Sequence, residues 1–246
     1  MTVSGSVQGH VYDVMIVGGG IAGCEAALGC NAAGLDTLLV TTSLDTVYSL
    51  LGDGVKVEPH AGTFMAEVFP DLSDNTGMVA NWAMHSAAKQ RIEVAPRIHF
   101  LQSSISGLIV ENGQVIGVDT WEGVARFARC TALCVGSFLK SRLTVGTLTE
   151  TAGRLSEMSY DDLYENLVAL GFQFEALKLE AEFDDESLPY TVDCQVFAVA
   201  ERDVDTYRLP RLANLYAAGV CFSGFVSYEN AALEGRRLAA TLVTDL

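Results

Sequence analysis

The stretch Tyr12-Asp13-Val14-Met15-Ile16-Val17-Gly18-Gly19-Gly20-Ile21-Ala22-Gly23 decides the fold. A β-rich run meets three glycines, and the residues that follow keep a helical apolar pattern up to Gly34, so the segment reads as strand, glycine turn, helix. Thr37 to Val40 (TLLV) is a second buried strand. Residues 12–42 therefore supply the roughly 30 residues that a β-α-β unit needs. A right-handed crossover makes its two strands parallel. Gly18, Gly20 and Gly23 satisfy G-x-G-x-x-G in the context that gives the pattern meaning, directly after a strand and at the opening of a helix. Gly18 permits the tight turn, Gly20 lets backbone approach a pyrophosphate, and Gly23 removes a side chain that would hold the helix off the sheet. The helix start then offers unpaired N–H groups and the positive end of its dipole to phosphate. Gly23, Ala27, Cys30 and Gly34 fall on one stripe of small residues. Glu25 points nearly the other way, and is expected to be exposed or to face another segment rather than an anionic diphosphate.

Nicotinamide and flavin dinucleotides share this fingerprint, and both normally use an acid at the end of the second strand to hold the adenosine ribose. Thr41-Thr42-Ser43 stands there instead. Hydroxyls and backbone groups would have to replace the carboxylate. Asp45 lies slightly too far on and reads as a turn or cap residue.

Outward from this unit, residues 43–75 are broken by glycine, proline and aspartate and predict loops. Met78 to Arg91 reads as a helix and Ile98 to Gln102 as a third parallel strand. Ile105 to Val110, Val115 to Thr120 and Val124 to Cys130, joined by turns at Asn112-Gly113 and Glu122-Gly123, read as an antiparallel three-stranded meander. Thr131 to Val135 then returns as a separate apolar strand ending at Gly136. Ser159 to Leu170 predicts a helix stopped by Gly171. The acid-rich stretch Glu180 to Glu186 lacks calcium-loop spacing and reads as a solvated surface loop. Leu215 to Ala218 closes the sheet and Tyr228 to Thr244 forms the last helix. The fold class is α/β, a Rossmann-like doubly wound FAD/NAD(P)-binding fold with an inserted meander. Residues 1–148 and 210–246 would build it, and residues 149–209 would be a small excursion packed on it.

Composition narrows the function. Fifteen Lys and Arg against 31 Asp and Glu give a net charge of -16, which repels a phosphate backbone and argues against autonomous nucleic-acid or anionic-membrane binding. No window offers the roughly 18 consecutive apolar residues of a membrane span, and Met1 to His10 reads as a short leader rather than a targeting signal. The six cysteines contain no C-x-x-C pair and no zinc pattern. Free thiols in a reducing cytoplasm are the expectation, with no structural metal. The histidines (His10, His60, His85, His99) have no sequence partner that marks a proton donor, and Tyr48 and Trp82 read more readily as core than as flavin-stacking rings.

Three later features favour flavin over nicotinamide. The meander, the strand ending at Val135-Gly136-Ser137 and Leu215-Tyr-Ala-Ala-Gly219 before a helix resemble the two-dinucleotide-binding-domains flavoprotein pattern. Read together, YDVMIVGGGIAGCEAAL, TLLVTTSLDTV, LIVENGQVIGV, CVGSFLKSRLTVG, AGRLSE, LGFQFEALK, LYAAG and SYENAALEG resemble, in order, the glucose-inhibited division protein A family, also called MnmG. The resemblance implies an FAD-dependent protein related to enzymes that modify wobble uridine in tRNA with a GTPase partner, reduced flavin and a folate-derived carbon. That family also has Thr-Thr where the acid is usual.

Carried onto matching positions, the resemblance implies that Gly18, Gly20 and Gly23 hold the pyrophosphate, that Thr41, Thr42 and Ser43 lie near the adenosine and Gly136 and Ser137 near the cofactor, and that Gly219, Tyr228, Glu229 and Ala231 lie beside the flavin. Cofactor binding is also expected at Ile21, Ala22, Ser104, Ile105, Arg142, Val220 and Asn230. No catalytic residue is implied. The departures matter. After Leu44-Asp45-Thr46 the family has a cysteine-containing, glycine-rich active-site motif, whereas this chain has VYSLLGDGVKVEPHAG. After Leu177-Lys178 a Thr-Gly-Thr-Pro-Pro-Arg-like stretch is replaced by LEAEFDDES. The 246 residues are less than half a full member, without the helical C-terminal region used for tRNA and partner binding. The reading is a short GidA-related FAD-binding protein with redox activity on an unidentified substrate. The alternatives are a non-catalytic FAD-binding module acting through a protein partner, and an NAD-dependent dehydrogenase.

Overall fold

The computed structural model describes residues 9–50, 54–154, 157–181 and 190–246. In chain order the first part is β1 (Val11–Val17), α1 (Ile21–Ala32), β2 (Thr37–Thr41), β3 (Gly54–Lys56), α2 (Phe64–Leu72), β4 (Met78–Ala80), α3 (Asn81–Glu93) and β5 (Ile98–Gln102). Next come β6 (Ile105–Glu111), β7 (Gln114–Thr120) and β8 (Ala125–Leu133). A further set follows: β9 (Arg142–Val145), β10 (Leu148–Glu150), β11 (Ala152–Arg154), β12 (Glu157–Met158), α4 (Asp161–Ala169), β13 (Phe174–Ala181) and β14 (Tyr190–Phe197). The chain closes with β15 (Leu215–Ala217), α5 (Val220–Ser223) and α6 (Tyr228–Asp245).

The main sheet has the order β5-β2-β1-β8-β7-β6, with β15 joined to β8. β1 runs parallel to both β2 and β8, and β2 parallel to β5. Val14 to Val17 and Leu39 and Val40 are fully buried, which is why these strands read as unbroken apolar runs rather than alternating ones. The doubly wound α/β expectation holds.

Two sequence boundaries are corrected. Val124 to Cys130 and Thr131 to Val135 are not two strands but the single strand β8. Nothing in Arg129-Cys130-Thr131-Ala132 can turn the chain, so it continues straight. One edge of β8 pairs with β1, while the opposite edge pairs with β7 near Phe127 and with β15 from Thr131 to Leu133. The antiparallel meander is present, but as an extension of the main sheet. Likewise the helix expected from Met78 starts three residues later, because Met78–Ala80 pairs with Gly54–Lys56.

Residues 43–75 carry structure where only loops were expected. Thr63 caps α2 by accepting from the amide of Ala66, and Pro70 lies inside the helix. A nine-residue helix with a proline is too short and too interrupted to show as a periodic pattern. Of the acid-rich stretch, Glu180 and Ala181 end β13, and residues 182–186 lie outside the described residues.

A second antiparallel sheet, β10-β9-β14-β13, encloses its own small core of Leu143, Ala152, Tyr190, Val192 and Cys194. On the main sheet, α1 is pressed between the strands and α6. A methyl added at Gly235 would lie 2.2 Å from the carbonyl oxygen of Ala22, and one at Gly29 would lie 2.5 Å from Ala239 Cβ. These two contacts also show that α1 and α6 run the same way. Gly34 is not part of the small-residue stripe: it is exposed, with φ of 82°, just past the end of α1.

Candidate functional site

β1, β2, β8 and β15 all end at one edge of the main sheet, and the chain leaves β1 through the glycine turn. Gly18 has φ of 114°, and a methyl there would sit 2.2 Å from the Cys134 carbonyl oxygen. One at Gly23 would sit 1.9 Å from the Gly18 carbonyl oxygen. Both glycines are demanded by backbone packing. Gly20 differs: it is exposed, its φ of -74° suits any residue, and a methyl there would meet nothing within 4 Å. It faces open space because it faces a cleft.

That cleft has a volume of about 1280 Å³ and lies at the carboxyl ends of the parallel strands, where open α/β sheets bind ligands. Gly18, Gly20, Ile21 and Ala22 line it at the start of α1, Thr41 and Thr42 at the end of β2, and Gly136 and Ser137 after β8. Gly219, Val220, Tyr228, Glu229 and Ala231 line it where α5 and α6 begin. α1 opens at Gly20 with no side-chain cap and no acid in its first turn, so its leading N–H groups face the cleft without a protein anion.

The remaining sequence-named positions stand elsewhere. Gly23 lies beneath the turn. Ser43 receives the Thr41 hydroxyl on its carbonyl at 3.1 Å, so the Thr41 side chain is spent on its own turn. The carbonyl of Ser104 accepts from the Trp121 amide at 2.9 Å, and Ile105 is buried in the main core. Arg142 pairs with Asp161 at 2.9 Å, and Asn230 meets His60 Nε2 at 3.0 Å. These side chains do not line the cleft.

Glu25 faces another segment and is buried, not exposed. Its carboxylate accepts from the Tyr48 hydroxyl at 2.6 Å and from the amides of Phe64 and Met65 at 2.9 and 3.0 Å. Burial pushes its pKa up, against the pull of those donors and of Arg236. Both ends of the segment between Tyr48 and Phe64 are thus pinned to one carboxylate on α1. Tyr48 itself has φ of 55° and donates its amide to the Gly19 carbonyl at 2.9 Å, which seats the segment on the glycine turn. Tyr48 is core, as its type suggested, whereas Trp82 is exposed.

Ser49, Lys56 and Asn81 form the wall this segment and α3 contribute to the cleft, and Arg154, Glu157, Tyr160 and Tyr190 line it as well. The sequence reading missed them. Lys56 had a readable signal, since Val55 and Val57 alternate with Lys56 and Glu58 at strand period. All six cysteines are free and buried. Cys134 lines the cleft, but burial pushes its thiol well above the ordinary value, so it stays protonated and a poor nucleophile. Among the described residues no group of His, Cys, Asp and Glu could hold a metal ion, and no helix is long and apolar enough to cross a membrane.

Residues 13–69 and 74–206 match the sequence model of the family described as glucose inhibited division protein A. The tRNA uridine 5-carboxymethylaminomethyl modification enzyme MnmG of Chlamydia trachomatis serovar A is 32% identical over 192 residues, covering 68% of this chain and 32% of that enzyme. The same-named enzyme of Geobacter metallireducens is 30% identical over 207 residues, covering 73% and 33%. The chain spans about a third of the length of these curated relatives. Among solved structures, the GidA-related protein from Thermus thermophilus is 36% identical with a TM-score of 0.84, over 96% of this chain and 100% of that one. Aquifex aeolicus GidA shares the fold at 16% identity and a TM-score of 0.82, over 96% of this chain and 64% of that one.

Proposed function

We propose that this chain, which belongs to the glucose-inhibited division protein A family, binds FAD along the cleft and works as a flavin-dependent oxidoreductase. One observation carries the reading: the first residues of two helices, Gly20 to Ala22 at α1 and Ser227 to Glu229 at α6, line the same cleft. Ala22, at the start of α1, lies level with Gly235 of α6. Tyr228, the first residue of α6, is seven residues earlier, so at 1.5 Å per residue α6 projects ~10 Å beyond the start of α1. The diphosphate fits at the bare Gly20 turn, the adenosine beside Thr41 and Thr42, and the ring toward Gly219 and Tyr228. Methyl groups at Gly18 or Gly23 would destroy the cradle, while the open position at Gly20 leaves room for phosphate.

When bound, the flavin supplies hydride or electron transfer. The protein's part is to bind, orient and bias charge, since the cleft presents no reactive thiol. The absence of an ionised cysteine favours a second reading, a non-catalytic FAD-binding module that acts through a protein partner. Relatives named as tRNA modification enzymes are more than twice as long, and with a net charge of -16 this chain would need a partner to act on tRNA. The absorbance spectrum of the purified protein, with the nucleotide identified after heat release, tests the cofactor assignment. A yellow protein releasing FAD is expected. A colourless protein that takes up no FAD overturns it, and one that takes up NAD instead is the dehydrogenase. Rapid reduction by a pyridine nucleotide and reoxidation by an acceptor separates the enzyme from the inert module.

A further inference from the structure

We infer that Lys56 is the residue this chain sets against the flavin ring, supplying the positive charge that stabilises the reduced form. The inference rests on the FAD reading above, and it goes beyond it by naming what tunes the ring.

The ring end of the cleft lies at the start of α6, and the dipole of that helix is the first source of charge to consider. It is already answered. Ser227 caps the helix through the amide of Asn230, and Glu229 places a full carboxylate in the first turn, on the cleft surface. A whole negative charge outweighs the roughly half charge of a helix terminus, so α6 by itself does not present a positive field.

The segment opposite brings a cation to the same place. β3 ends at Lys56, and just beyond it Val57 is buried while Lys56 and Glu58 are exposed. The Glu58 amide donates to Glu229 Oε1 at 3.0 Å, and His60 Nε2 meets Asn230 Oδ1 at 3.0 Å. These two contacts clasp the segment to the first turn of α6. Lys56 precedes Glu58 by two residues, so its backbone lies no more than ~7 Å away; both are exposed around the buried Val57, and Lys56 lines the cleft.

Among the described residues its charge is uncommitted, whereas the other cation lining the cleft there, Arg154, lies 3.5 Å from Glu157. Of the lining carboxylates, Glu157 also receives the Thr46 hydroxyl, Glu180 lies 3.8 Å from Lys178, and Glu229 accepts from the Glu58 amide. Among the described residues, in a chain with twice as many acids as bases, no carboxylate lies within ion-pair distance of Lys56. A fixed ammonium in a partly enclosed cleft is a preorganised site for charge that develops during reaction. Hydride transfer from a pyridine nucleotide would leave one negative charge on a bound flavin, which Lys56 would compensate.

The experiment compares the wild-type, Lys56→Met and Lys56→Arg holoproteins. FAD content is measured first by heat release, then sulfite affinity from the bleaching of the flavin spectrum, and the midpoint potential by dithionite titration against a reference dye. Lys56→Met is expected to keep its FAD, to bind sulfite at least tenfold more weakly, and to lower the potential by ~30 mV or more, the equivalent of tenfold for a two-electron couple. Lys56→Arg is expected to stay within threefold of wild type. Unchanged sulfite affinity and potential in Lys56→Met overturn the inference while the FAD reading stands. A Lys56→Met protein that holds FAD weakly or not at all, with Lys56→Arg at the wild-type potential, places Lys56 at the diphosphate and also overturns it. A wild-type protein without flavin sinks the FAD reading itself.

Discussion

Gly20→Ala separates binding from folding at the glycine turn. The backbone at Gly20 is extended, with φ of -74° and ψ of -176°, and an added methyl meets nothing within 4 Å. Restricting the unfolded chain stabilises by about 0.4–1 kcal/mol. Alanine caps a helix less well than glycine, which offsets a similar amount. The apoprotein melting temperature should therefore stay within ~3 °C of wild type. Binding should not survive as well. The methyl projects from a residue that lines the cleft, where a diphosphate must approach backbone amides. Losing two charge-assisted hydrogen bonds at ~1.5–3 kcal/mol each costs ~3–6 kcal/mol, which raises the FAD dissociation constant by roughly 10²–10⁴-fold. Gly23→Ala is the contrast: its methyl would sit 1.9 Å from the Gly18 carbonyl oxygen, so α1 must lift off the turn and stability must fall together with binding. Thermal melts of the apoproteins and a titration that follows quenching of FAD fluorescence provide the two readouts. Wild-type affinity in Gly20→Ala would refute the diphosphate placement, and a melting temperature lowered as far as that of Gly23→Ala would refute the claim of open space.

Glu25→Ala should cost ~3–5 kcal/mol in urea unfolding, because three donors lose a buried acceptor, and Tyr48→Phe should cost about 1–2 kcal/mol. Burial holds the Glu25 pKa above its ordinary 4.5. A raised folded pKa means a contribution to stability that is present below the ordinary value and lost as pH rises through the folded one. Wild type should therefore lose stability, relative to Glu25→Gln, over the pH range just above 4.5, and parallel profiles would contradict this. Burial pushes all six thiols up, Cys30 and Cys221 to about 12 and Cys194 to about 11. A colorimetric disulfide reagent at pH 8 should find fewer than one reactive thiol in the native protein and six after unfolding. Filter binding at low salt should show no retention of purified tRNA by the chain alone, and tight retention would reverse the charge argument.

How far the fold was legible follows from how local its causes are. β1, the glycine turn, α1 and β2 could be read because each is written in contiguous residues: buried runs, a turn only glycine makes, and a helix start. β8 was divided because one strand serves two partners, β1 along one edge and β7 then β15 along the other, and that change of partner leaves no mark in Arg129 to Ala132. Gly18, Gly20 and Gly23 were legible as a pattern, but their different duties were fixed by what a Cβ would strike. Cofactor binding was expected at Ile105 and Arg142, yet Ile105 is packed into the core and Arg142 is held by Asp161, since sequence does not say which way a side chain turns.

The case of Glu25 shows what a pattern on one helix cannot carry. Its three donors come from residues 23, 39 and 40 positions away, so no local window contains the reason for burying it. Once placed, it links two parts of the site. The leading turn of α1 faces the cleft at Gly20, and one turn further along the same helix Glu25 fixes both ends of the segment that carries Lys56. A change that loosens the Glu25 contacts without displacing α1 should leave the Gly20 turn intact while freeing the wall that faces α6. Tyr48→Phe is the gentler version of that change, because it removes one hydroxyl and keeps the ring packed against Phe64, whose centroid lies 5.6 Å away. Its holoprotein should retain FAD yet shift in potential toward that of Lys56→Met, and a potential equal to wild type would show that the wall keeps its place without the Tyr48 bond.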